Sequence, residues 1–133
     1  MAILGIGVDI LHVPRIAALF QRRGSRLPAR ILSHSEIFQF ESLPSSDLAR
    51  RIRFLAVRWA VKEAAYKAMY PNVQPNWKEL SYRGLGEGPV RPKPVLEYHP
   101  LVLPNKFKIG PIHVSVSHDG EFVFASVTIE SPI

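Results

Sequence analysis

The sequence predicts an α+β fold in which a long helix packs on a small antiparallel sheet. Three observations carry that prediction. An apolar run opens the chain ("AILGIGVDI"), a long helical stretch occupies its middle, and two alternating runs meet at Asp119-Gly120 near its end. Strand, then helices, then strands is the order of a domain whose helices gather on one face of an antiparallel sheet. At 133 residues the chain fits a single domain, 1–133, with one modest core.

The elements follow in order. "AILGIGVDI" is apolar enough for a buried strand, and Asp9 falls near its end. Pro14 suits a first helical turn and Gly24 a helix stop, so "RIAALFQRR" reads as helix with Ile16, Leu19 and Phe20 turned inward. Arg15 and Arg22, seven apart, then lie beside each other on a more exposed face. "SHSE", Ser33 to Glu36, has the spacing of a capping box and starts a short helix carrying Ile37, Phe38 and Phe40. The long helix is expected from about Asp47 to Tyr70, where Pro71 stops it. Asn72 to Pro111 is rich in proline and glycine, with short strands expected at Leu80 to Arg83 and Val95 to Tyr98. "IHVSVSHDGEFVFASVTI" closes the chain as a hairpin turning at Asp-Gly.

Seventeen Lys and Arg against eleven Asp and Glu give a net charge of +6 and a pI near 10.0. Such an excess favours an anionic partner: nucleic acid, a phosphate-rich small molecule or an acidic protein. The charge is clustered, at Arg22, Arg23, Arg26 and Arg30 and again at Arg50, Arg51, Arg53 and Arg58. Without cysteine there are no disulfides, thiolate metal sites or Cys nucleophiles. No apolar run reaches membrane-spanning length, and no basic leader precedes the first one, so neither a span nor a signal peptide is expected. "GIG" at Gly5 to Gly7 lacks the remaining glycine of a dinucleotide fingerprint, and "GLGEG" at Gly84 to Gly88 runs into Pro89 instead of a helix. Walker, Gly-x-Ser-x-Gly and His-Glu-x-x-His motifs are missing, which weakens hydrolase and zinc readings. A basic nucleic-acid-binding module is the alternative from another class. No zinc-finger spacing, helix-turn-helix pattern or RNA-binding aromatic signature supports it.

Three polar residues resist a packing explanation. At about 100° per residue, Ile52, Leu55, Ala56, Trp59, Tyr66 and Tyr70 share one helix face, and Glu63 falls in the middle of it. A carboxylate there requires a partner or a raised pKa. Asp9 closes an apolar strand, and His118 sits at a hairpin corner after "VSVS". If the strand end meets the helix, Asp9 and Glu63 suit one shared cation. Mg²⁺ takes oxygen ligands and commonly uses one or two carboxylates, with waters and substrate phosphates as the rest. Each residue also has a local reading: Asp9 as a helix cap, Glu63 as the ion-pair partner of Lys67, His118 as a turn residue.

Taken in order, "GIGVDI", "FLAVRWAVKEAAYKA" and "VSVSHDGEFVFASV" resemble the holo-acyl-carrier-protein synthases, the small, single-unit 4′-phosphopantetheinyl transferases. The family signature, an early Gly-x-Asp and a Trp/Phe-x-x-Lys-Glu-Ala-x-x-Lys helix, stands here as Gly7-Val8-Asp9 and Trp59 to Lys67. The resemblance implies transfer of the 4′-phosphopantetheine arm of coenzyme A to a serine of an acyl-carrier protein, releasing 3′,5′-ADP, as in fatty acid biosynthesis. It implies Asp9 and Glu63 as the Mg²⁺ carboxylates and Lys67 as the cation on the leaving group, all three catalytic. The base for the serine is Glu63 acting through a water, or else a metal-bound water. His118 and Ser117 match the coenzyme's 3′-phosphate site, with Arg53, Arg58 and Lys67 as further coenzyme contacts. An acidic carrier protein would dock on Arg15, Arg22, Arg23 and Arg26. The family forms homotrimers with active sites between subunits, so one chain's Asp9 and Glu63 would face a neighbour's His118. A cytoplasmic location is implied, or the mitochondrial matrix for a eukaryotic source. A transferase kept only as a catalytically dead assembly module is the second alternative. The chain departs from the pattern in two places. Pro100 and Pro104 oppose the helix that many bacterial members have between Val95 and Ile112, and the Gly-Lys-Pro of the family reads Pro92-Lys93-Pro94.

Overall fold

The computed structural model describes residues 2–84 and 93–133. Most of the "GLGEG" stretch and Pro92 therefore lie outside the described residues. The opening apolar run forms β1 (Ile3–His12), followed by α1 (Val13–Arg23), α2 (Arg26–Ile31) and α3 (His34–Ser42). The long helix α4 spans Leu48–Met69, within a residue of its expected limits at both ends. A 3-10 turn at Trp77–Glu79 leads into β2 (Leu80–Arg83), which pairs with β3 (Val95–Tyr98). After a second 3-10 turn at Leu103–Phe107 come β4 (Ile112–Asp119) and β5 (Phe122–Glu130). The sheet order is β1-β5-β4, antiparallel throughout, with β2 and β3 as a separate pair. Long helix and small antiparallel sheets make this the α+β architecture expected. Among the described residues no helix is long and apolar enough to cross a membrane.

Local chemistry accounts for the boundaries. Pro14 opens α1, and Gly24, at φ +57° and ψ −137°, ends it in a positive-φ conformation that glycine, lacking a Cβ, adopts readily. Ser33 caps α3, and Glu36 closes the capping box on the Ser33 backbone. Asp47 caps α4 by accepting from Arg50 N. The hairpin turns on Gly120 (φ +55°) and Glu121, one residue later than the Asp-Gly signal placed it. Helix α2 was not foreseen, because its six residues "RLPARI" are too few to show a period.

One contact fixes the relation of helix to sheet. A Cβ at Gly5 would fall 1.9 Å from the Ala68 carbonyl oxygen, and one at Gly7 would fall 1.9 Å from that of Ala64. The two glycines thus let β1 lie directly on the backbone of α4, which is what "GIG" does in this chain. The inward face of α4 follows from it: Ala64 and Ala68 meet β1, Ala60, Val61, Ala65 and Met69 are buried with them, and the helix packs chiefly on β1 and β5. This corrects the expected stripe. Ile52, Leu55 and Ala56 are in the core, but Tyr66 (39% exposed) and Tyr70 (55%) are not, so Glu63 borders the buried face instead of interrupting it. The opposite face of the sheet is open, with Ile6, Val8, Ile10, Phe122 and Phe124 all exposed.

Candidate active site

The glycine-mediated approach of β1 to α4 continues along the strand. Two residues past Gly7 and on the same side, Asp9 meets α4 half-buried. Lys67 Nζ stands 3.5 Å from Asp9 Oδ1 and donates to the Val8 carbonyl at 2.9 Å. Glu63, one turn earlier on α4, is also half-buried. Burial raises the pKa of Glu63, and the neighbouring Asp9 charge raises it further, while Lys67 and Arg15 oppose the shift. Burial likewise raises that of Asp9 against Lys67 and Arg15. Two mutually repelling carboxylates between two cations form a compact charged site at one end of the helix–strand seam.

The donor chemistry decides which metal these residues could hold. Asp9 and Glu63 supply carboxylate oxygens only, and among the described residues no group of three or more His, Cys, Asp and Glu gathers. That set fits Mg²⁺, which needs few protein ligands when phosphates complete its shell. It does not fit a structural zinc site, which needs four soft or imidazole ligands.

Beside Glu63 opens a cleft of about 300 Å³ lined by Tyr66, Pro75, Trp77 and Leu80. Its wall is set by Trp77 packed on Trp59, ring centroids 5.1 Å apart. Arg15, expected on the docking face, also reaches this region: its guanidinium lies 5.8 Å from the Trp59 ring. Sequence reasoning missed the cleft, because Trp77 and Pro75 come from the irregular segment after α4.

The other expected residues are distributed as follows. Arg53 and Arg58 line one groove with Phe54 and Val57. Arg53 is exposed, whereas Arg58 is largely buried, its guanidinium 3.5 Å from the Phe54 ring centroid and its Nε 3.9 Å from Glu36 Oε2. Burial pushes the Arg58 pKa down to about 10, opposed by Glu36 and Tyr82, so it stays cationic near neutrality. Arg22, Arg23 and Arg26 are exposed around the α1–α2 junction. His118 and Ser117 are exposed on β4. His118 is level with Val123 and Leu11, so β5 stands between it and β1. A single chain brings together Asp9, Glu63, Lys67 and Arg15, and it leaves His118 and Ser117 apart from them.

A family model described as the 4′-phosphopantetheinyl transferase superfamily matches residues 5–122. The chain belongs to this superfamily. Among its relatives, the holo-[acyl-carrier-protein] synthase of Erwinia tasmaniensis is 37% identical, covering 98% of this chain and 100% of its own. That of Edwardsiella ictaluri is 33% identical over 98% and 99% of the two chains. Solved structures agree. The Bacillus anthracis holo-(acyl-carrier-protein) synthase in complex with CoA (3′,5′-ADP) superposes with a TM-score of 0.74 at 29% identity, covering 98% of this chain and 99% of that one. The Neisseria meningitidis synthase gives 0.79 at 27% identity, covering 97% and 99%. The phosphopantetheinyl transferase fold expected from the motifs is therefore the fold found.

Proposed function

We propose that this chain is a holo-[acyl-carrier-protein] synthase, one domain that moves the 4′-phosphopantetheine arm of coenzyme A onto a serine of an apo-acyl-carrier protein. The observation that carries the reading is the convergence of Asp9, Glu63 and Lys67 on one seam in a chain matched by the transferase family over 5–122. In the reaction the serine Oγ bonds to the phosphorus that bears the pantetheine. The bond from that phosphorus to the bridging oxygen breaks, and 3′,5′-ADP leaves with the electron pair. Such a transfer depends on positioning and on charge stabilisation. Asp9 and Glu63 would hold Mg²⁺, which would neutralise pyrophosphate charge. Lys67 places its ammonium where negative charge builds on the leaving group. Glu63 would take the serine proton through a water, the role of a general base within reach of the attacking hydroxyl.

The rest of the assignment follows the same reading. Arg53, exposed in the groove it shares with the largely buried Arg58, and Arg58 itself offer positive charge to the 3′-phosphate. The exposed Arg15, Arg22, Arg23 and Arg26 form the docking face for an acidic carrier. Association between oppositely charged surfaces is fast and salt-sensitive. The exposed apolar sheet face, with Ile10 at 67% and Ile6 at 61%, supports a homotrimer in which a neighbour's His118 and Ser117 complete the coenzyme site. The bacterial relatives favour the cytoplasm, with the mitochondrial matrix as the counterpart for a eukaryotic source.

The test is mass spectrometry of an apo-acyl-carrier protein incubated with the chain, coenzyme A and Mg²⁺, beside an EDTA-treated sample. A gain of one phosphopantetheine, abolished by EDTA, is expected. A gain that survives EDTA contradicts the metal assignment, and no gain with several carriers contradicts the activity.

A further inference from the structure

Lys62 is the one charged residue of the helix motif that the proposed chemistry leaves unused, and it is buried, its side chain 1% exposed. Its ammonium donates to the Ile31 carbonyl (2.7 Å), the Trp77 carbonyl (2.9 Å) and Glu36 Oε1 (2.5 Å). Three acceptors meet its three protons. Glu36 is equally occupied. It accepts from Ser33 N at 2.9 Å and from Tyr82 N at 2.8 Å. One ion pair therefore ties together the end of α2, the start of α3, α4, the 3-10 turn and β2. An apolar pair of similar volume is commonly as stable or more so, so stability alone is a weak account of this network. What it supplies is a fixed geometry.

That geometry bears on the site. Lys62 immediately precedes Glu63, and Glu63 lines the cleft together with Trp77, whose carbonyl Lys62 holds. The side chain that fixes the rotation of α4 at position 62 therefore also fixes the wall that shares the cleft with Glu63. We propose that Lys62, through its pair with Glu36, is a positioning residue that aims Glu63 toward Asp9 and sets the width of the cleft between Glu63 and Trp77. The inference rests on the transferase reading and extends it: the pair governs engagement of metal and coenzyme, and it does not govern docking of the carrier on α1.

The test compares wild type with the Glu36→Gln/Lys62→Met double variant, which removes both charges and keeps an amide oxygen for Ser33 N or Tyr82 N. Ile129→Ala, a cavity at a buried position of β5 that touches neither Lys62 nor Glu36 by any hydrogen bond, serves as a destabilised control. Mn²⁺ affinity is read by electron paramagnetic resonance with coenzyme A present, and turnover is read with a carrier protein. The double variant should lose about ten- to a hundredfold in Mn²⁺ affinity and in kcat, as do variants of residues that orient metal ligands. Its KM for the carrier should stay within about twofold, while Ile129→Ala keeps the wild-type Mn²⁺ affinity and kcat at temperatures where it is folded. If the double variant does not fold, Lys62→Met alone, which leaves Glu36 its backbone donors Ser33 N and Tyr82 N and its neighbour Arg58, carries the same comparison. Wild-type Mn²⁺ binding and kcat in the variant overturn the positioning role and leave the transferase reading intact, as does an equal loss in Ile129→Ala. A wild-type protein that neither binds Mn²⁺ nor modifies a carrier removes the transferase reading, and this inference with it.

Discussion

Lys67 Nζ stands 3.5 Å from Asp9 Oδ1 while donating to the Val8 carbonyl at 2.9 Å, so one cation joins the strand end to the fourth helix. Its side chain is half exposed, which makes it available to a phosphate at little cost in packing. Lys67→Met should lower kcat by about a hundredfold or more, the scale of losing one preorganised stabilising charge. The circular dichroism spectrum and the KM for the carrier protein should be nearly unchanged. A fall in carrier affinity without a fall in kcat would move Lys67 from the chemistry to the docking face.

The two carboxylates predict a pH signature. Burial raises the pKa of Glu63 above its ordinary 4.5, and the Asp9 charge adds to the shift. A carboxyl group that holds its proton more tightly when folded costs nothing at low pH. The cost appears as the pH rises past the unfolded value and is complete above the folded one. Glu63→Gln should therefore raise the melting temperature at pH 7 and give no gain below about pH 4. Mg²⁺ should raise the wild-type melting temperature at pH 7, because it binds only the folded site, and should do little for the variant. Thermal melts across pH, with and without the metal, check both signs.

Gly7 tests the seam that positions the site. Its missing Cβ would fall 1.9 Å from a backbone carbonyl of α4, which no rotamer change can relieve. Gly7→Ala should destabilise the fold by at least about 2 kcal/mol, at the upper part of the overpacking range, seen as a lower urea midpoint. A loss below about 0.5 kcal/mol would show that β1 and α4 separate easily.

The sharing of sites between subunits is open to a mixing experiment. Glu63→Gln and His118→Ala should each be impaired alone in a protein that sediments at about three times the 15.0 kDa chain mass. After denaturation and joint refolding in equal amounts, about one quarter of the sites should pair an intact Glu63 with a neighbour's intact His118. Recovery of activity to that level supports sites built from two chains; no recovery places both residues in one chain's site.

Much of this was legible in the sequence, and the limits have physical causes. The long helix was bounded to within a residue because Asp47 and Pro71 are local stop signals. β2 and β3 were placed residue for residue, because they are short apolar runs between proline- and glycine-rich segments. Asp9 and Glu63 stood out as carboxylates among apolar residues, although the stripe that singled out Glu63 is not the buried face, and the fold does make the two electrostatic neighbours. Lys62 was invisible for the opposite reason: a lysine on a helix is ordinarily solvated, and only the folded chain brings Ile31, Glu36 and Trp77 around it. Glu36 was recognised as a cap, but its second role depends on β2, 46 residues further on. The apparent apolar stripe misled at Tyr66 and Tyr70 because Ala64 and Ala68 define the inner face. Their small side chains let the helix backbone approach Gly5 and Gly7, a contact that hydrophobicity alone does not reveal.

The central claim is that Glu63 performs the chemistry together with Asp9. The most direct measurement is the mass of an apo-carrier protein after incubation with coenzyme A, Mg²⁺ and either the wild-type chain or Glu63→Gln, each first shown by sedimentation to be folded and assembled alike. The account predicts the phosphopantetheine mass gain with wild type and essentially none with the variant over the same time. A Glu63→Gln protein that modifies the carrier at the wild-type rate would contradict it.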